Sequence, residues 1–76
     1  MRAKIRLDTG NDAKRFVDIA TKSKGQVYIT DGEHLRVSAK SLLGALYAME
    51  FDHLWCESEE DIYHAIEDFI ILESYN

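Results

Sequence analysis

The sequence has no proline and only one cysteine, Cys56. Without proline, turns and helix starts depend on glycine and on capping side chains. A single cysteine excludes an internal disulfide framework and is typical of a protein in a reducing cytosol. No apolar run approaches the roughly 20 residues that cross a bilayer. Met1-Arg2-Ala3-Lys4 shows no signal-peptide pattern, so we expect a cytoplasmic protein that does not engage membranes.

Basic residues are also scarce, nine against fourteen acidic ones, and the net charge is −5. Because the cations are scattered along the chain, we expect no nucleic-acid partner. The hydrophobic fraction of 46% is that of a folded domain. Its length of 76 residues allows one domain, 1–76, with one small core.

The spacing of apolar residues predicts seven elements in the order β-α-β-β-α-β-α. Strands are expected at 3–7, 26–30, 35–39 and 53–57, and helices at about 13–23, 42–49 and 62–73. Gly25 should end the first helix, and Asp31-Gly32-Glu33 should turn a hairpin between the second and third strands. Leu35 is expected to point inward. Such a chain is expected to form an α+β fold, with three helices on one face of a mainly antiparallel sheet and an open opposite face.

Each predicted helix is preceded by a hydroxyl side chain that can accept from a free backbone N–H of the first turn. Thr9 with Asp12 and Ser58 with Asp61 have the spacing of a capping box. Ser41 precedes an apolar run in which Leu42, Leu43 and Leu46 surround the hydroxyl.

Two interpretations of the Ser41 segment stay open. Ser41 is either a cap alone or also a modified hydroxyl, since a helix start tolerates negative charge. The leucines are either core or a docking surface, and a short helix that is apolar on so many sides cannot bury all of them.

The chain resembles the histidine-containing phosphocarrier (HPr) family over nearly its whole length. The resemblance rests on the order of elements, on Phe16-Val17 and Ala20, and above all on Lys40-Ser41-Leu42-Leu43-Gly44, which is similar to the family's Lys-Ser-Ile-Met-Gly segment. It implies an open-faced β-sandwich with strand order 1-4-2-3.

This chain departs from the family's pattern at the carrier site. In the family, a Gly-(Leu/Ile)-His-Ala-Arg-Pro segment accepts phosphoryl from phosphoenolpyruvate by way of Enzyme I. Thr9 matches the histidine, Gly10 the alanine, Asn11 the arginine and Asp12 the proline. The nucleophile and the cation are absent from these positions, so we expect carrier activity through this degenerate site to be lost and the protein not to be an enzyme.

Ser41 matches the regulatory serine that a dedicated kinase phosphorylates with ATP in Gram-positive bacterial members of the family. The positions of Lys40, Leu42, Leu43 and Leu46 correspond to the family's docking surface. The resemblance therefore implies a non-catalytic regulator or adaptor of the sugar phosphotransferase system or of carbon catabolite control. Its partners would be HPr kinase, an Enzyme I-like protein or a transcriptional regulator.

Alternatives remain at other residues. A different acceptor such as His53 would keep a phosphocarrier role. Tyr28 and Trp55, expected to be neighbours on the open sheet face with Arg6 nearby, either shield each other or form a contact surface, giving a monomer or a weak homodimer.

We expect no cofactor and no metal. His53 and Cys56 have a loose metal-like spacing, but a strand directs them to opposite faces. Cys56 should be buried and unreactive.

Overall fold

The computed structural model describes residues 1–72. Its elements are β1 (Arg2–Ile5), α1 (Gly10–Thr21), β2 (Val27–Thr30), β3 (Arg36–Ser38), α2 (Leu42–Ala48), β4 (Leu54–Ser58) and a 3₁₀ helix (His64–Phe69). No helix in this part of the chain has the length and apolarity to cross a bilayer.

The four strands form one antiparallel sheet in the order β1-β4-β2-β3. This confirms the predicted α+β fold and the strand order 1-4-2-3. The hairpin β2–β3 pairs Ile29 with Val37, and β4 lies between β1 and β2. Because consecutive side chains alternate across a strand, one sheet face is covered by the helices and the other is open.

The core lies between the sheet and the helices. Ala3, Ile5, Leu7, Val27, Ile29, Leu54 and Cys56 are buried from the sheet side, and Ala13, Phe16, Val17 and Ala20 from α1. Phe16 meets Phe69 of the 3₁₀ helix edge to face, with ring centres 5.4 Å apart. Burial raises the pKa of the Cys56 thiol to about 11. The thiol therefore stays protonated, as expected of an unreactive cysteine.

The last helical element differs from the prediction. Ser58 belongs to β4, where its N–H donates to the Met1 carbonyl, so it cannot begin a helix. Its hydroxyl donates to the Glu60 carbonyl, and the Asp61 carboxylate accepts from the Tyr63 N–H, so the expected capping box is wrong.

After the 3₁₀ helix the chain becomes extended and lies along the outer edge of β1. Ile70 bridges Ile5, and the Ile71 N–H donates to the Lys4 carbonyl at 2.9 Å. The predicted helix therefore stops at Phe69 because this segment pairs with the sheet edge. Its expected end near Glu73 lies outside the described residues.

Two predictions about the connections are also wrong. Gly25 does not end α1, which stops at Thr21; instead, a Cβ on Gly25 would lie 3.0 Å from the Cβ of Glu59, so glycine serves a close approach there. Leu35 precedes β3 and is 41% exposed. Gly32 is the residue with positive φ within 1–72, at 86°, which fits the predicted turn.

Candidate functional site

Ser41 is the N-cap of α2, as predicted. Its backbone is extended, and its hydroxyl accepts from the Gly44 N–H at 3.1 Å. The residue is exposed, so this cap lies at the surface of the protein. A hydroxyl held at a fixed place on the surface can be reached by a modifying enzyme.

Small residues seat α2 on the sheet. Ala45 and Ala48 are completely buried. A Cβ on Gly44 would lie 3.1 Å from the Ser38 carbonyl oxygen of β3. The absence of a side chain at Gly44 therefore allows the helix to approach the strand closely. The segment that carries the family resemblance thus has a structural reason for its glycine.

Large apolar side chains occupy the outer side of α2. Leu42 is 44% exposed, Leu43 79%, Leu46 40% and Tyr47 53%. We call these four residues the leucine patch. The sequence predicted Leu42, Leu43 and Leu46 as surface candidates and missed Tyr47, although its position one turn after Leu43 could have indicated it. Of the two interpretations, the plain-core one is wrong, because each leucine is at least two-fifths exposed.

Lys40 lies beside the leucine patch and makes a hydrogen bond to the segment that follows α1. Its ammonium group donates to the Ser23 carbonyl at 2.8 Å, just beyond the end of α1, and the residue is half-buried. This contact joins the turn before α2 to the first helix. A partner that binds the Lys40 ammonium must share it with the Ser23 carbonyl.

Residues 9–12, which by resemblance match the family's carrier site, form the start of α1. The Thr9 hydroxyl accepts from the Asp12 N–H at 3.1 Å, which confirms half of the predicted capping box. The Asp12 carboxylate accepts from the Asp8 N–H at 3.0 Å, rather than from that of Thr9. Gly10 and Asn11 are the first residues of the helix and are exposed.

A cavity of about 300 Å³ lies beside this helix start. Two arginines line it, although the matched position Asn11 carries no charge. Arg6 pairs with Asp8 at 3.2 Å, and Arg15 pairs with Asp68 at 3.0 Å and with Asp12 at 3.9 Å. The sequence did not reveal these cations because Arg6 comes from the loop after β1 and Arg15 from the second turn of α1. Carboxylates outnumber them, so the cavity offers no surplus positive charge to a phosphate.

A second cavity, of about 240 Å³, lies at the other end of α2. We call it the acidic notch; its lining residues are Asp31, Leu35, Tyr47, Glu50, Phe51 and Asp52. The Tyr47 and Phe51 rings meet edge to face with centres 5.5 Å apart. Tyr47 belongs to both surfaces, so the notch continues the leucine patch. Sequence reasoning missed this site because its residues come from the hairpin loop and from both sides of the α2 terminus.

The aromatic residues of the open sheet face are each covered by an arginine. The Arg2 guanidinium lies 4.2 Å from the centre of the Trp55 ring, and that of Arg36 lies 3.8 Å from the Tyr28 ring. Both are cation–π distances.

Tyr28 and Trp55 are neighbours on this face, as expected. Trp55 lies opposite Lys4 and Thr30, and Tyr28 lies opposite Glu57 and Ser38, which makes the two aromatic residues diagonal neighbours. The arginine at Trp55 is Arg2, while Arg6 is paired with Asp8.

The histidines lie at separate places on the surface. His34 follows the hairpin turn, His53 precedes β4, and the His64 Nδ1 lies 2.8 Å from a Glu67 carboxylate oxygen. Within residues 1–72, no three His, Cys, Asp or Glu side chains are grouped as metal ligands.

Comparisons of the chain with protein-family models, with curated proteins and with solved structures gave no match.

Proposed function

We propose that this protein is a non-catalytic regulatory or adaptor domain of the HPr type, acting in the cytoplasm of a bacterium. In this proposal it belongs to the control of sugar phosphotransfer or of carbon metabolism. The leucine patch docks a protein partner, and phosphorylation of Ser41 changes which partner binds.

The observation that carries the proposal is the position of Ser41 next to the leucine patch. An exposed, capped hydroxyl directly precedes four large apolar side chains that are 40–79% exposed. Contiguous apolar side chains on a small domain are typical of protein contact surfaces. A phosphoryl group adds about two negative charges and three strong acceptors, which alters the binding properties of a neighbouring apolar surface.

The resemblance supplies the class of partner, and the fold agrees with it. The strand order β1-β4-β2-β3 and the open face are those that the resemblance implies. In the proposed modification, the Ser41 oxygen forms a bond to the γ-phosphorus of ATP, the bond to ADP breaks, and the hydroxyl proton is released. A kinase of the HPr-kinase type supplies the catalysis.

Intact-mass spectrometry tests the proposal after incubation with ATP and HPr kinase, and separately with phosphoenolpyruvate and Enzyme I. We expect the mass of one phosphoryl group only with ATP, mapped to Ser41. Ser41→Ala should remove the modification and lower the free energy of unfolding by about 1 kcal/mol through loss of the cap.

Thr9→Ala is the matched control. Thr9 caps α1 with the same 3.1 Å hydrogen bond that Ser41 makes at α2. Its loss should cost about 1 kcal/mol as well, yet leave the modification unchanged. Equal modification of the Ser41→Ala variant would refute the assignment, and phosphorylation from phosphoenolpyruvate would instead indicate a carrier.

A further inference from the structure

The acidic notch has an apolar wall suited to an alkyl chain. Leu35 is 41% and Tyr47 53% exposed, and Phe51 meets Tyr47 at nearly a right angle, 86°. An aliphatic chain that enters between these side chains would cover apolar surface on more than one side. The aromatic faces also attract a cation.

The charges of the notch have one sign. No lysine, arginine or histidine of residues 1–72 lines it, and its three carboxylates are those of Asp31, Glu50 and Asp52. In that part of the chain, Glu50 and Asp52 have no cationic partner.

Asp31 is occupied differently. Its carboxylate accepts from the backbone N–H groups of Glu33, His34 and Leu35 at 2.8–3.0 Å. It therefore shapes the loop and leaves Glu50 and Asp52 to meet a ligand.

The cavity beside α1 provides a contrast within the same molecule. There, Arg6 and Arg15 lie among the carboxylates and pair with them. No residue of 1–72 provides such a cation at the notch, and a complementary partner would have to bring one.

From this complementarity we infer that the acidic notch receives a lysine or arginine side chain of a partner protein. The aliphatic residues of the same partner segment cover the leucine patch. The cationic head pairs with Glu50 and Asp52, and its alkyl stem packs against Leu35, Tyr47 and Phe51. This inference rests on the proposed docking function and adds the chemistry of the partner.

A second copy of this chain is a poorer occupant. Each copy has a net charge of −5, so two copies repel each other at low ionic strength. A basic amphipathic segment gains from the same charge.

The experiment measures fluorescence anisotropy of two labelled helical peptides with the full chain. Each has about 15 residues, with leucines at i, i+3, i+4 and i+7. One has an arginine beside the last leucine, and the other has a glutamate there. We expect the arginine peptide to bind about tenfold more tightly, and the preference to shrink as salt is raised.

The matched variants are Glu50→Lys and Asp18→Lys. Both change an exposed carboxylate that has no partner within residues 1–72, and Asp18 lies on the outer side of α1. Glu50→Lys should weaken the arginine peptide about tenfold and strengthen the glutamate peptide, while Asp18→Lys should change either affinity by less than about threefold.

Leu43→Ser separates this inference from the proposed function. If Leu43→Ser weakens both peptides but Glu50→Lys leaves their ranking unchanged, the patch docks partners and the notch inference is wrong. If Glu50→Lys reverses the ranking and Leu43→Ser has no effect, the notch binds cations and the proposed patch is wrong. The inference is also wrong if neither peptide binds, or if Glu50→Lys and Asp18→Lys have equal effects.

Discussion

Large side chains are shielded on the open sheet face of this molecule and unshielded on the outer side of α2. On the open sheet face, an arginine guanidinium lies 4.2 Å from the Trp55 ring and another lies 3.8 Å from the Tyr28 ring. On the outer side of α2, Leu43 is 79% exposed. The sheet face is therefore covered by its own side chains, whereas the leucine patch is not.

This difference indicates which surface is available to a partner. A segment that binds the open face must compete with guanidinium groups that already stack on the rings, and Arg2 also pairs with Glu57 at 3.1 Å. A segment that binds α2 displaces only water from the leucines, which favours association through the hydrophobic effect. In this molecule, the uncovered leucines of α2 are therefore a stronger indication of a binding surface than the aromatic residues of the sheet face, which arginines cover.

The largest effect that tests the comparison is on the sheet side. Trp55→Ala should lower the free energy of unfolding by about 2 kcal/mol, because it removes a half-buried ring and its contact with Arg2. Leu43→Ser, the control on the other surface, should change it by less than about 0.5 kcal/mol. Urea unfolding measures both. A larger loss for Leu43→Ser would mean that the patch stabilises the fold and is not free for docking.

A smaller effect is expected where α2 meets the sheet. Gly44→Ala should cost about 1 kcal/mol, because crowding at the Ser38 carbonyl outweighs the better helix propensity of alanine. Gly10→Ala is the control: its Cβ would lie 4.0 Å from the Leu46 side chain, an ordinary contact, so α1 should be unchanged or slightly more stable. Thermal unfolding distinguishes the two. Equal stability of both variants would show that α2 is not closely seated.

The smallest effect concerns the hairpin loop. Gly32 of this loop lies against Trp55 on the open sheet face, and Leu35 lines the acidic notch. Hydrogen bonds from the backbone N–H groups of Glu33, Leu35 and His34 lower the pKa of Asp31. A lowered folded-state pKa adds stability above the ordinary aspartate value of about 4, and this stability is lost as pH falls through the folded-state value.

Asp31→Asn should therefore be less stable than the wild type near neutral pH, and the difference should shrink on acidification below about pH 4. Asp18→Asn, which removes the same charge from the outer side of α1, is the control. Unfolding free energies measured across this pH range check the prediction. A difference between Asp31→Asn and wild type that does not depend on pH would contradict it.

The sequence by itself determined the order of the elements and the caps at Thr9 and Ser41. These depend on local spacing: apolar periodicity selects a buried face, and a hydroxyl before a helix satisfies a nearby N–H. The antiparallel α+β class follows from the same pattern, while the strand order came from the family resemblance.

Only the tertiary structure decided the rest. The last helix ends at Phe69 because the following residues pair with β1, and Arg6, which follows β1, joins Arg15 of α1 beside the start of that helix. The acidic notch brings together Asp31 and Asp52, which are 21 positions apart in the sequence. Such contacts depend on which elements pack together, and no local spacing encodes them. Ser41 was therefore visible in the sequence, but the exposure of its neighbours and the charge beside them required the fold.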